Sequence, residues 1–210
     1  MILQEDDRWA AICSIAAHKA IIQAFLTLAQ QKSFDSIRVQ DILDEALVSR
    51  YTFYKHFKDK YEIAEYLQAQ IMQELRAVMQ RYREERADLE PVRKKQLDAY
   101  YQLGHQNEIL SALWNIHTDT VDLEKLFRQE FYDRYLDWDL TQADRTNRAL
   151  EATIYSSIQT TLVTYFTTHA SRDADAFGEP LQEALLNVFL LLIRVSDPEQ
   201  AAAALAPFIR

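Results

Sequence analysis

Val39-Gln40-Asp41-Ile42-Leu43-Asp44-Glu45-Ala46-Leu47-Val48-Ser49-Arg50-Tyr51-Thr52-Phe53-Tyr54-Lys55-His56-Phe57-Lys58-Asp59-Lys60 is the stretch on which the fold turns. Ile42, Leu43 and Ala46 share the inner face of a short helix over Val39 to Ala46. Leu47 and Val48 form a tight turn, and Ser49 supplies a hydroxyl that can accept an orphaned N–H of the helix that follows, Arg50 to His56. Phe53 and Phe57 fall on its core side, and Asp59 can cap a further helix. A scaffold helix, a tight turn and a basic, aromatic second helix are what a helix-turn-helix needs to project side chains into the DNA major groove.

Outward from this stretch the chain reads as helical in both directions. On the N-terminal side, Ile12, Ile15, Ala16, Ile22, Phe25, Leu26 and Ala29 predict one long helix from about Trp9 to Gln31, broken by Phe34, Asp35 and Ser36. On the other side, Ile63, Leu67, Ile71, Leu75, Val78 and Tyr82 predict a connecting helix over about 59–86. The charged, Pro91-containing stretch Glu84 to Lys95 ends it. Further helices are expected near Val92–Leu103, Asn107–Asn115, Val121–Asp139, Asp144–Ala170, Pro180–Ile193 and Pro198–Leu205, with Gly104 and Gly178 at two of the breaks. The expected organisation is a DNA-binding domain over 1–61 and a larger helical domain over 62–210.

Composition agrees. Two glycines and four prolines in 210 residues leave too little turn chemistry for hairpins, so the fold class is all-α. A formal charge of −9 excludes a protein that coats nucleic acid indiscriminately. Yet Arg50, Lys55, Lys58 and Lys60 face one carboxylate, Asp59, between positions 46 and 60, so charge is segregated. The single cysteine, Cys13, forms no intramolecular disulfide and no zinc cluster. Glu5, Asp6 and Asp7 are unlike a signal peptide, and the apolar run Ala184–Ile193 is shorter than the ~20 residues that span a bilayer. A cytoplasmic protein with no membrane partner is expected.

The Thr-Phe-Tyr-x-His-Phe-x-x-Lys portion, Thr52 to Lys60, together with the residues before it, resembles the TetR/AcrR family of bacterial transcriptional regulators. The resemblance covers about the first quarter of the chain and reaches back to Ile21-Ile22-Gln23-Ala24-Phe25. It implies an N-terminal three-helix module with a helix-turn-helix and a C-terminal helical ligand-binding and dimerisation domain. Tyr54, His56 and Lys60 match positions at or beside the DNA backbone, where phenol, imidazole and ammonium can donate to phosphate. Arg50 and Tyr51 match positions that read base edges, and Arg50 suits guanine O6 and N7. Gln40 and Thr52 are further candidates, Arg38 is placed on a phosphate, and Ser49 and Lys55 complete the DNA-binding set. Four positions depart from the family pattern: Leu47 and Tyr51 replace glycines, and Ile37-Arg38 replaces a Thr pair.

The resemblance further implies a dimer through the last two long helices, where Leu181, Leu185, Val188, Phe189 and Leu192 are joined by Ile154, Ile158, Leu162, Tyr165 and Phe166. It also implies a pocket for a small-molecule effector, for which Tyr101, Trp114, His117, Phe131, Tyr135 and Tyr155 are the candidates. The function expected is a repressor that binds a pseudo-palindromic operator as a homodimer and is released by that effector. The alternative is a co-regulator of the same fold that acts through a protein partner. An enzyme is not expected, because no Glu has a His three residues later, and His-Glu-x-x-His, Gly-x-Ser-x-Gly and a phosphate-binding glycine loop are absent. No cofactor or metal is expected; His105, His117 and His169 lie in no ligand pattern.

Overall fold

The computed structural model describes residues 3–84, 108–137 and 147–168. Among the described residues there are seven α-helices and no strand: α1 (Leu3–Gln31), α2 (Val39–Ala46), α3 (Arg50–His56), α4 (Lys60–Glu84), α5 (Glu108–Leu113), α6 (Leu123–Leu136) and α7 (Arg148–Thr168). A single 3-10 turn, Phe34–Ser36, separates α1 from α2. The helices predicted at 92–103, 180–193 and 198–205, both glycines, and the boundary beyond Glu84 lie outside the described residues.

Helix α1 is the axis of the N-terminal head. Ile21, Ala24, Phe25 and Leu28 are buried on it, and it packs against α2, α3, α4 and α5. The register differs from the expected stripe. Ile21 is fully buried and Ile22 only partly, while Ile12 and Ile15 are exposed. Apolar residues lie nearly all round this helix, so periodicity does not select a face. Burial instead starts near His18, where α3 and α4 meet it through Phe57 and Tyr66. Ile12–Gln31 has the length and composition of a membrane span, but its second half is the centre of the head's core.

Local chemistry sets the short elements. Asp41, in the first turn of α2, accepts the Arg38 N–H at 2.8 Å and the Lys32 ammonium at 2.6 Å, tying the end of α1 to the start of α2. Those two donors hold its carboxyl below the usual range. Ser49 accepts the Thr52 N–H at 3.1 Å as the N-cap of α3, and Asp59 accepts the Glu62 N–H at 2.9 Å at the start of α4. Both caps match the sequence expectation.

Helix α4 carries the core from the head into the C-terminal part: Ile63, Leu67, Ile71 and Leu75 are fully buried. Met79 continues the four-residue ridge in place of the expected Val78, which is half-buried. Leu110, Leu113, Trp114, Val121, Leu123, Phe127, Phe131 and Val163 extend the same core through α5, α6 and α7. Helix α5 ends at Leu113, short of the expected Asn115, and α6 starts at Leu123 because Asp122 caps it by accepting the Lys125 N–H at 2.9 Å.

Leu47 ends α2 in the left-handed conformation, φ 54° and ψ 39°, with its side chain 91% exposed. An L-residue there costs about 1–2 kcal/mol, which glycine avoids. The exposed side chain offsets none of it by burial. Leu47→Gly is therefore expected to stabilise the protein by about 1 kcal/mol in urea denaturation; an unchanged or lower midpoint would show that the turn is not strained.

Candidate nucleic-acid interface

Seven residues are too few for a helix to persist alone, so α3 depends on its buried side. Phe53 and Phe57, four apart, are buried with ring centroids 6.5 Å apart. That burial turns the opposite face outward. Arg50, Tyr51, Tyr54 and Lys55 are exposed, and Thr52 and His56 half-exposed. Helix α3 contains no carboxylate, and Lys55 and His56 occupy its last turn, where positive charge complements the helix dipole. The result is a basic, aromatic ridge with room to enter a groove.

The candidate residues divide by what already holds them. Ser49 and Thr52 share a hydroxyl hydrogen bond of 2.8 Å beside the cap, so they set the start of α3. Arg38 is exposed at the entry to α2, and Gln40, in its first turn, is also exposed. Arg50 donates from Nη2 to Gln40 Oε1 at 3.1 Å, linking α3 to α2. Tyr51 is 81% exposed and Tyr54 about half, with the Tyr54 ring edge-on to Phe53.

Lys60, which its motif sets at or beside the DNA backbone, is held by carbonyls of the head itself. Its ammonium donates to the carbonyls of Phe34 (2.8 Å), Asp35 (3.2 Å) and Ile37 (3.0 Å), and lies 4.6 Å from the Phe34 ring centre. Desolvation lowers its pKa, partly opposed by the nearby Asp35 carboxylate. An ammonium has three N–H donors, and here each has a carbonyl. Lys60 thus closes the 3-10 turn onto α4. Lys60→Met, which keeps the stem but removes the donor that these carbonyls share, is expected to lower stability by about 1–2 kcal/mol in chemical denaturation; no loss would return Lys60 to a solvent-facing role.

His18, which sequence reasoning did not single out, packs beneath the end of α3. Its ring stacks on Phe57 at 4.9 Å and meets His56 at 5.6 Å and Tyr66 at 5.3 Å. Burial lowers its pKa, and the neighbouring His56 lowers it further. Below about pH 6.5 the unfolded chain therefore takes up a proton that folded His18 resists. Its contribution is complete above that pH and is lost as pH falls through the lowered value. Melting temperature should drop on acidification from roughly pH 7 to 5.5, and by less in His18→Gln; parallel profiles for the two would show that folding does not change the proton affinity of His18.

Of the candidate effector residues, Trp114, Phe131, Tyr135 and Tyr155 lie on or beside α5, α6 and α7. Trp114 is buried, edge-on to Phe127 at 5.3 Å, with Nε1 donating to Thr164 Oγ1 at 3.1 Å. Phe131 is fully buried, and Tyr135 lies 5.3 Å from Tyr155 and donates its hydroxyl to Glu151 at 2.6 Å. His117 is elsewhere, on the exposed loop before α6 with its ring 3.3 Å from Asp122. Tyr101 lies outside the described residues. Gln159, one turn beyond Tyr155, was missed from sequence: its Oε1 is buried without a hydrogen-bond partner. Helix α7 carries many polar side chains, Ser156, Ser157, Thr160 and Thr161 among them, so Gln159 gave no sequence signal of its own. Among the described residues no cluster of His, Cys, Asp and Glu could hold a metal ion.

Residues 21–67 match the family model of bacterial regulatory proteins, tetR family. The match spans every candidate DNA-binding residue from Arg38 to Lys60, and it defines the head as a tetR-type helix-turn-helix DNA-binding domain, the class of domain used in transcriptional regulation. The resemblance read from Thr52 to Lys60 and the all-α fold class are thereby borne out. No curated protein matches the chain. Among solved structures it is similar to the fatty acid degradation regulator FadR from Bacillus halodurans, at 15% identity and a TM-score of 0.52, covering 80% of this chain and 93% of that one. That likeness extends the shared fold from the head into the C-terminal helices.

Proposed function

We propose that the protein is a ligand-responsive cytoplasmic repressor that binds a pseudo-palindromic DNA operator as a homodimer and is released by a small-molecule effector. One observation carries the reading: the carboxylate-free outer face of α3 presents Arg50, Tyr51, Tyr54 and Lys55 while Phe53 and Phe57 fix the helix from below. Arg50 reads a base edge, Tyr54, Lys55 and His56 engage phosphates, and Ser49 and Thr52 hold the reading helix at its start.

Support for dimerisation comes from α7. Leu150 (57% exposed), Ile154 (53%) and Ile158 lie at four-residue spacing and form an apolar stripe open to solvent. A second copy covers such a stripe at the cost of little beyond association entropy. Support for an effector comes from the aromatic side chains of α5–α7 and the unpartnered Gln159 acceptor. The effector acts by favouring a spacing of the two heads that no longer fits two half-sites.

A second reading has its own observation. Leu47 and Tyr51 expose apolar surface at the tip of the head, as a protein-docking surface does. Salt separates the two readings. Binding to the flanking intergenic DNA in gel shifts should weaken on the order of a hundredfold between roughly 50 and 200 mM salt, because phosphate-bound counterions are released. A folded dimer that shifts no such DNA at low salt would sink the repressor reading in favour of the protein partner.

A further inference from the structure

Arg50 does not stand alone on the reading face. Gln40 and Asp44 lie one turn apart on α2, and Arg50 is the first residue of α3. Gln40 Nε2 donates to Asp44 Oδ1 at 2.8 Å, and Arg50 Nη2 donates to Gln40 Oε1 at 3.1 Å. The direction of this chain is fixed by chemistry. An ionised carboxylate only accepts and a guanidinium only donates, so the amide between them has one orientation that satisfies both. All three side chains are exposed, on the side of the head where α2 meets the start of α3.

We propose that Gln40 and Asp44 are positioning residues: Asp44 orients the Gln40 amide, and Gln40 holds the Arg50 guanidinium in register with one base edge. The inference rests on the DNA-reading function above and makes it specific. A guanidinium has five N–H donors, so the bond to Gln40 leaves others for guanine O6 and N7. Reading adenine would require the Gln40 amide to turn both its oxygen and its nitrogen to the base, whereas here the oxygen is turned to Arg50 and the nitrogen to Asp44. Gln40 therefore acts through Arg50 and not as an independent adenine reader, and the base pair below this pair of helices is read as guanine. Closure of the groove removes water from the chain and strengthens each bond in it.

The arrangement also explains a carboxylate beside a surface that meets phosphates. Asp44 opposes non-specific attraction to DNA, so its removal has two effects of opposite sign: overall affinity rises while discrimination falls. A residue needed only for folding lowers both. This split is the readout that separates positioning from structure.

The test is selection of bound sequences from a random double-stranded DNA pool by the full-length dimer. Arg50→Ala first identifies the base pair read by Arg50, as the position whose preference disappears. Asp44→Ala and Gln40→Ala should each reduce the guanine preference at that position by about tenfold, leave the other positions unchanged, and, for Asp44→Ala, tighten binding to random DNA at low salt. The paired exchange Gln40→Glu with Asp44→Asn keeps the total charge, and its new carboxylate accepts from both Arg50 and the new amide; it should restore the preference. An Asp44→Ala protein that keeps the preference, a paired exchange that fails to restore it, or an adenine at the Arg50 position overturns the inference. A folded wild-type dimer that enriches no sequence overturns the DNA-reading function itself.

Discussion

The burial of Phe53 and Phe57 carries the reading helix. A seven-residue helix gains too little from its own hydrogen bonds to repay nucleation, and α3 exists because Phe53 and Phe57 are buried beside α1 and α4. Burying each ring contributes roughly 2–3 kcal/mol. Once those two rings point inward, helical geometry leaves no choice about the others: Arg50, Tyr51, Tyr54 and Lys55 must face out. The reading surface is the geometric complement of the core contact. Ser49 and Thr52 fix where the helix begins, and Lys60 pins the loop behind it through three carbonyls.

The head was legible for the same reason. Residue types there are tied to position by strong local constraints: a cap needs an oxygen, a short helix needs its two aromatic anchors, and the limits of α2 and α3 follow from them. What sequence left open are choices made by neighbours. The face that α1 buries depends on which short helices reach it, so Ile21 displaced Ile22. Lys60 reads as a surface cation until the carbonyls of a turn 23 to 26 residues away are in place around it. His18 has no motif at all; its position emerges only when α3 and α4 close over α1. The aromatic residues of the C-terminal helices are intermediate. Sequence identifies Trp114 and Phe131 as core-capable, but not that the loop carrying His117 turns outward.

Head and C-terminal part share one core. Helix α4 runs through both, and α5 contacts α1 as well as α4. At their junction the Gln68 side chain is buried, donating to the Thr120 carbonyl at 3.2 Å and accepting the Asp122 N–H at 2.9 Å. Those bonds hold the start of α6 against the middle of α4. A shift of α6 along α4 breaks both and leaves a buried amide unpaired, which costs more than the bonds contribute. The start of α6 is therefore tied to α4 directly, and not only through the loop that precedes it.

Electrostatics sets the balance between holding DNA and choosing among sequences. The chain is acidic overall, and two cations of the head are engaged within it: Lys32 by Asp41 and Lys60 by backbone carbonyls. The exposed cations of the α2–α3 region, Arg38, Arg50, Lys55 and Lys58, are few, so the sequence-independent attraction that dominates most protein–DNA contacts is limited in the head. A weak general attraction makes every aimed contact count for more, since specificity is the ratio of bound states and not the affinity of one. A strongly basic head would tolerate a loosely held Arg50; an acidic chain has reason to hold it on Gln40.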